Sequence, residues 1–179
     1  MHPKVSVVMA SYNHAAFVRQ AIESVLNQSF TDLEMVITDD GSPDATVEVI
    51  RSISDARIDL LAFPENHGTC DGINNSISRA RGEYLAVLSS DDFFLPGKIA
   101  RQIEFLDTHP EIGAVFGLPR VVDESGTELT ESSHPFTKIF TKVNRNRVQW
   151  LRHFFEFGNC LCHHLLDRFF YFSFLTFSN

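Results

Sequence analysis

With 179 residues the chain is long enough for one domain with a core of its own and too short for two complete ones. Its hydrophobic fraction of 44% is ordinary for a soluble globular protein. The net charge of −8, from 15 Lys and Arg against 23 Asp and Glu, argues against a non-specific nucleic-acid binder, which needs a basic surface. Phosphate ligands stay open, because a metal ion can supply positive charge locally.

The chain in order reads as strands alternating with helices. Val5 to Ala10 is a short apolar run with β-branched residues, the pattern of a buried parallel strand. Phe17, Val18, Ala21, Ile22, Val25 and Leu26 then recur at three- and four-residue spacing, which predicts a helix from about Ala15 to Gln28 with Asn13 as a cap near its start. Leu33 to Thr38 is the second strand, ended by the turn signature Asp39-Asp40-Gly41-Ser42. A helix over about Asp44 to Ser54 follows, then a strand over Arg57 to Ala62 and a loop at Asn66-His67-Gly68. Ile73 and Ile77 mark a helix over Thr69 to Ala80, with Gly82 in the usual position past a helix end. Glu83 to Leu88 is the fourth strand and runs into Ser89-Ser90-Asp91-Asp92. Pro96 sits as a first-turn proline before a helix with Ile99, Ile103 and Leu106 inward. Ile112 to Leu118 is a further strand, and Val121 to Gly126 a short strand and turn.

This order predicts an α/β fold, a mostly parallel sheet with helices on both faces. In such sheets ligands bind outside the carboxyl ends of the strands. The oddest polar residues stand there: Ser11 and Tyr12, Asp39 and Asp40, Asp91 and Asp92. No GxGxxG follows the first strand and no GxxxxGK[ST] is present, so the usual dinucleotide and phosphate-loop devices are missing. A phosphate-bearing ligand then needs another source of positive charge. Adjacent carboxylates after a strand supply it by holding Mg²⁺ or Mn²⁺, which favour oxygen ligands and bridge substrate phosphates. Asp91 and Asp92 fit that role, and they fit equally a solvated loop with a helix-start charge. The Asp39 turn is either a ligand contact or an ordinary Asx turn, and Tyr12 either a stacking surface for a base or an aromatic at the core's edge.

Other candidates are weaker. The three cysteines, Cys70, Cys160 and Cys162, make no disulfide framework, and with no second pair to match Cys160 and Cys162 they read as buried or free thiols rather than a zinc site. His67 reads as solvated, His14 as an exposed first-turn residue, and no Ser-His-Asp arrangement is evident. There is neither a signal peptide nor a run of about 18 apolar residues, so no membrane span is expected and a cytoplasmic location follows by default.

Two stretches resemble the conserved blocks of the family 2 glycosyltransferases. One is PKVSVVMASYNHAAFVRQAIESVLNQSFTDLEMVITDDGSPDAT, and the other NHGTCDGINNSISRARGEYLAVLSSDDFFLPGKI. With the helix after Pro96 the likeness covers residues 3 to 118. It implies a GT-A fold and a nucleotide-diphosphate sugar as donor. By family role Ser11 and Tyr12 line the nucleoside pocket, Asp39 meets the base, and Asp40 and Ser42 shape the turn around it. Asp91 belongs to the metal-binding acidic motif, with Mn²⁺ or Mg²⁺ as cofactor, and Asp92 stands beside it. Asn66, Gly68 and Asn74 match positions that scaffold the donor site. Lys98 and Arg101 match common positions too, but a solvated helix face explains them equally well. Many members read Asp-x-Asp-Asp where this chain has Ser89-Ser90-Asp91-Asp92, so the first carboxylate is replaced by Ser89. The implied reaction is inverting displacement at the anomeric carbon, with a carboxylate base serving a saccharide, lipid-linked or protein acceptor. Asp123, Glu124 and Glu131 fit a polar turn better than that base, and none is nominated.

The likeness divides the chain into a nucleotide-sugar-binding α/β domain over 1–120, the start of an acceptor-side region over 121–162, and a divergent Phe-rich tail over 163–179. Up to Cys162 the end resembles the family's approach to the acceptor side. From His163 it stops, and Phe169, Phe170, Tyr171, Phe172, Phe174 and Phe177 show neither strand alternation nor helical spacing. Where family members continue His-Pro-Ser, one assumed codon set for His-Pro-Ser-Val, CAC CCA TCT GTT, loses one cytosine to give CAC CAT CTG TT, which encodes His-His-Leu and then Leu or Phe, as at His163 to Leu166. A frameshift is therefore one origin for the tail and an incomplete fold its consequence; a naturally short protein with a divergent helical tail is the other. The remaining readings are a non-catalytic nucleotide-sugar-binding fragment and a protein of another class, binding a different nucleotide or serving as an interaction domain.

Overall fold

The computed structural model describes residues 2–117, 120, 122–123, 127–128 and the backbone of 170–172. Strand β1 (Val5–Ser11) lies between β2 (Leu33–Asp39) and β4 (Tyr84–Val87), parallel to both, and β3 (Ile58–Ala62) extends the sheet beyond β2. With β5 (Ala114–Phe116) and β6 (Phe170–Phe172) the order is β3-β2-β1-β4-β6-β5, and every pairing is parallel. The strand at 170–172 departs from the expectation of a featureless tail. Three residues are too few to carry a period by which a strand is recognised.

Side-chain alternation divides the core in two. Val5, Val7 and Met9 of β1 face the larger cluster, with Leu33, Met35 and Ile37 of β2. Against them pack α1 (Val18–Leu26), through Val18, Ala21, Ile22 and Val25, and α4 (Lys98–Thr108), through Ile99, Ile103 and Leu106. The intervening Val8, with Val36 and Leu85, meets Ile73 and Ile77 of α3 (Thr69–Arg79) on the opposite face. Helices thus cover both faces, as the periodicity predicts. The six-residue α2 (Thr46–Arg51) is too short to be stable alone and is held by burial of Thr46 and Ile50.

Several local expectations are corrected. α1 begins at Val18 rather than Ala15, because Phe17 and Val18 donate their N–H groups to the His14 carbonyl in a preceding turn. Asn13 does not cap it: Asn13 has φ 56° and donates its N–H to Ser42 Oγ. α2 is shorter than expected at both ends. Pro96 lies ahead of α4, not in its first turn. With Gly97 at φ 75° and Lys98 N–H bonded to the Leu95 carbonyl, Pro96-Gly97 forms the centre of a type II turn. Gly82 is not a left-handed helix cap, since its φ is not positive. A Cβ there would stand 2.4 Å from Ser6 N and 2.7 Å from Ser6 Oγ, so glycine is required by close approach to β1.

At the amino edge of the sheet, buried Glu34 accepts bonds from Ser6 Oγ (2.6 Å), Arg81 N (2.8 Å) and the Arg81 guanidinium. Burial pushes its carboxyl up, but the Arg81 and Ser6 bonds outweigh this and hold it below the usual range. This network lies at the opposite end of the strands from the acidic turns and is structural.

Candidate functional site

The carboxyl edge is built by parallel register. Ser11 pairs with Asp39 at the last rung of β1 and β2, and the Asp40 N–H donates to the Ser11 carbonyl one residue further on. Successive residues point to opposite faces. Ser11 and Asp39 therefore share one face, while Tyr12 and Asp40 follow directly past the ends of the two strands.

The two carboxylates have different surroundings. Asp39 is fully buried and accepts three bonds: from Ser11 Oγ (2.8 Å), Ser42 Oγ (2.6 Å) and Ser42 N–H (2.9 Å). Asp40, 1% exposed, accepts the N–H groups of His67 and Gly68, each at 2.8 Å, one on each oxygen. It thereby fixes the loop that enters α3. Gly41 between this turn and that loop has φ 72°, and a Cβ there would lie 2.6 Å from the Glu65 carbonyl carbon, so no other residue fits.

The β1–α1 turn is tied to both neighbours. His14 and Ala15 donate N–H groups to Thr46 Oγ1 (2.9 Å) and Asp44 Oδ2 (3.0 Å). Burial raises the Asp44 carboxyl, but bonds from Thr46 and Ala15 outweigh this and hold it below the usual carboxylate range. On the other side His14 Nδ1 and Ser90 Oγ are 2.7 Å apart. His14 is thus half-buried and placed against the acidic segment rather than exposed. Its role, like those of Asp44 and Thr46, left no signal in the sequence, because each bond joins residues of different loops.

Of the candidate residues, Ser11, Asp39 and Ser42 form one bonded group, and Asp40 with Gly68 another. Tyr12 is 42% exposed at the rim. Asn66 is exposed and Asn74 half-buried on α3. Asp91 is half-buried and Asp92 is 2% exposed, its N–H donated to the Ser89 carbonyl. β1 separates β2 from β4, so the two acidic ends stand about two strand spacings, or about 10 Å, apart on one edge. Lys98 does not lie on a solvated face: its Nζ is 4.6 Å from the Phe94 ring centre and 2.8 Å from Gln102 Oε1, and burial pushes its ammonium down to about 7. Arg101 is exposed.

Among the described residues no three His, Cys, Asp or Glu side chains converge on a cation. The donor set is one accessible carboxylate beside a buried one. That suits Mg²⁺ or Mn²⁺ arriving with a diphosphate, which such ions bind together with one or two carboxylates and several waters. It does not suit a cation held by protein alone. No helix among the described residues is long and apolar enough to cross a membrane.

A parallel α/β sheet with helices on both faces and polar residues gathered at its carboxyl edge is a doubly wound class of fold, in which ligands bind at that edge. Within it, the family model for glycosyl transferase family 2 matches residues 6–169, and the chain belongs to that family. Among curated relatives, an uncharacterized glycosyltransferase of Haemophilus influenzae is 37% identical over 58% of this chain and 42% of its own length. The succinoglycan biosynthesis protein ExoO of Rhizobium meliloti is 42% identical over 59% and 30%. The chain therefore spans less than half the length of these relatives. Among solved structures, Staphylococcus aureus TarS 1-349 in complex with UDP-GlcNAc superposes with a TM-score of 0.61 at 23% identity, over 72% of this chain and 37% of TarS. The mannosyltransferase PcManGT of Pyrobaculum calidifontis, in complex with GDP-Man and Mn²⁺, gives 0.59 at 22%, over 65% and 36%. The fold is GT-A.

Proposed function

We propose that the chain binds a nucleotide-diphosphate sugar across the ends of β1, β2 and β4, as the donor half of an inverting glycosyltransferase. The observation that carries this reading is the continuous bonded edge: Asp40 to the α3 loop, Ser11 and Ser42 to Asp39, and His14 to Ser90. It brings an exposed aromatic, Tyr12, and a half-buried carboxylate, Asp91, to one edge of the sheet. Tyr12 stacks on the base. Asp40, which follows the end of β2 as Tyr12 follows that of the neighbouring β1, takes an N–H of the base, for which a uracil or guanine edge is suited. Support for Asp40 over Asp39 comes from valence: each Asp40 oxygen has one partner, whereas Asp39 is braced by three donors. Ser11, Asp39 and Ser42 hold the turn, and Asn66, Gly68 and Asn74 scaffold the diphosphate side.

Asp91 is the ligand for Mn²⁺ or Mg²⁺, with Asp92 buried behind it. When bound, the cation offsets charge on the leaving diphosphate. Residues 1–120 form this donor domain and residues 121–162 begin the acceptor side; the notion of a divergent tail over 163–179 and its frameshift origin lie outside the described residues, except for 170–172. A general base must stand within about 3 Å of the acceptor hydroxyl, and no described residue is assigned to it. Because the chain covers under half of its relatives, a fragment that binds donor without transferring sugar is the second reading.

Calorimetry with UDP, GDP and TDP, each with and without Mn²⁺, tests the proposal. Binding of one diphosphate, tightened by Mn²⁺, is expected. No binding to any of them overturns it, and binding without sugar transfer or donor hydrolysis selects the fragment.

A further inference from the structure

Ser24 on the flank of α1 and Gln28 just past its end lie away from the strand ends, yet their side chains bond the backbone that follows Asp92. The Phe94 N–H donates to Ser24 Oγ at 2.9 Å. Gln28 Nε2 donates to the Leu95 carbonyl at 3.0 Å and to the Ser24 carbonyl at 2.9 Å. Gln28 Oε1 faces the Ile99 N–H at 3.4 Å. Ser24 Oγ donates in turn to the Ala21 carbonyl at 2.6 Å. Gln28 is 5% exposed, and both its amide N–H groups meet carbonyls while its oxygen meets an N–H. Neither a flipped amide nor a carboxylate satisfies that arrangement. Gly97 brings no side chain to cap α4, so the Gln28 carboxamide, from just past the end of α1, stands in at the first-turn N–H of Ile99.

His14 holds Ser90 from the other side. Asp91, Asp92 and Phe93 are therefore the only residues between two tethers, and both tethers come from the β1–α1 unit. A segment clamped at each end has little freedom to re-aim its carboxylates. We propose that Ser24 and Gln28 are positioning residues for the acidic segment: α1 sets the aim of Asp91, and hence the affinity for a divalent cation bound with the diphosphate, without supplying a ligand. This rests on the donor reading above.

The test uses the 179-residue chain as Ser24→Ala, Ser24→Thr and Gln28→Glu variants. Three quantities are read: UDP affinity without metal, Mn²⁺ affinity with UDP present, and the melting temperature. Loss of supporting contacts around a metal site weakens metal affinity by about 10- to 100-fold. That loss is expected for Ser24→Ala and Gln28→Glu, with metal-free UDP affinity unchanged, while Ser24→Thr keeps the hydroxyl and restores the unaltered value. A lower melting temperature with Mn²⁺ affinity unchanged overturns the proposal, as does an equal loss with and without metal. If Gln28→Glu does not fold, Ser24→Ala and Ser24→Thr decide. If the unaltered chain binds no nucleoside diphosphate, the donor reading fails first and takes this one with it.

Discussion

Replacing Asp39 and Asp40 one at a time by Asn separates two carboxylates that adjoin in the chain and differ in their surroundings. At Asp39 the amide oxygen keeps the Ser42 N–H, and the new amide N–H groups donate to Ser11 Oγ and Ser42 Oγ, which both accept. The remaining cost is the buried Ser11 hydroxyl proton, about 1 kcal/mol, or a fall in Tm of about 2–4 °C for a chain of this length. At Asp40 two backbone N–H groups converge on two oxygens, and the amide has only one. One charge-assisted bond is lost and a donor faces a donor, at about 3 kcal/mol, or about 6–12 °C. The same change removes the acceptor offered to the base. A hydrogen bond to a charged group is worth about 1.5–3 kcal/mol, so UDP affinity falls about 10- to 150-fold. Calorimetry and thermal melting on the same preparations, below the lower Tm, read both effects. Asp39→Asn is expected to bind UDP nearly as the unaltered chain does. A loss of more than about tenfold (about 1.4 kcal/mol) in Asp39→Asn, with Asp40→Asn unchanged, refutes the assignment.

Gly82→Ala places a methyl against the β1 backbone at 2.4 Å and disturbs the Ser6–Glu34–Arg81 network, so the urea midpoint falls by an amount corresponding to at least about 1–3 kcal/mol. Asn at 82, which a left-handed cap accepts, is expected to fare no better than Ala. Glu34 has a folded pKa below its ordinary 4.5, so its contribution is present above about pH 4.5 and is lost as pH falls through the folded value. The difference in urea midpoint between the unaltered chain and Glu34→Gln is therefore full at pH 7 and shrinks in acid. Mn²⁺ titrated alone binds weakly, since no three side chains converge on it among the described residues, and tightens when UDP is added. Asp91→Asn abolishes that tightening in the same titration.

The short apolar run of Val5 to Ala10, together with the helical spacing of Ile73 and Ile77 or Ile99 and Ile103, is local information. It is why the order of elements, the parallel sheet and the acidic strand ends were legible from the residues alone. The helix starts were less legible, because the groups that satisfy them come from elsewhere: Asp44 and Thr46 serve the turn before α1, and Gln28 serves α4. Gly82 read as a cap because spacing alone does not separate a glycine required by φ from one required by the approach of another strand.

The pairing of Ser11 with Asp39, the joining of His14 to Ser90 and the different fates of Asp39 and Asp40 were decided only by tertiary structure. Hydrophobic period is a property of consecutive residues and survives in the sequence. A hydrogen bond between strand ends 28 positions apart, or between loops 76 apart, depends on strand order and register, which no local pattern encodes.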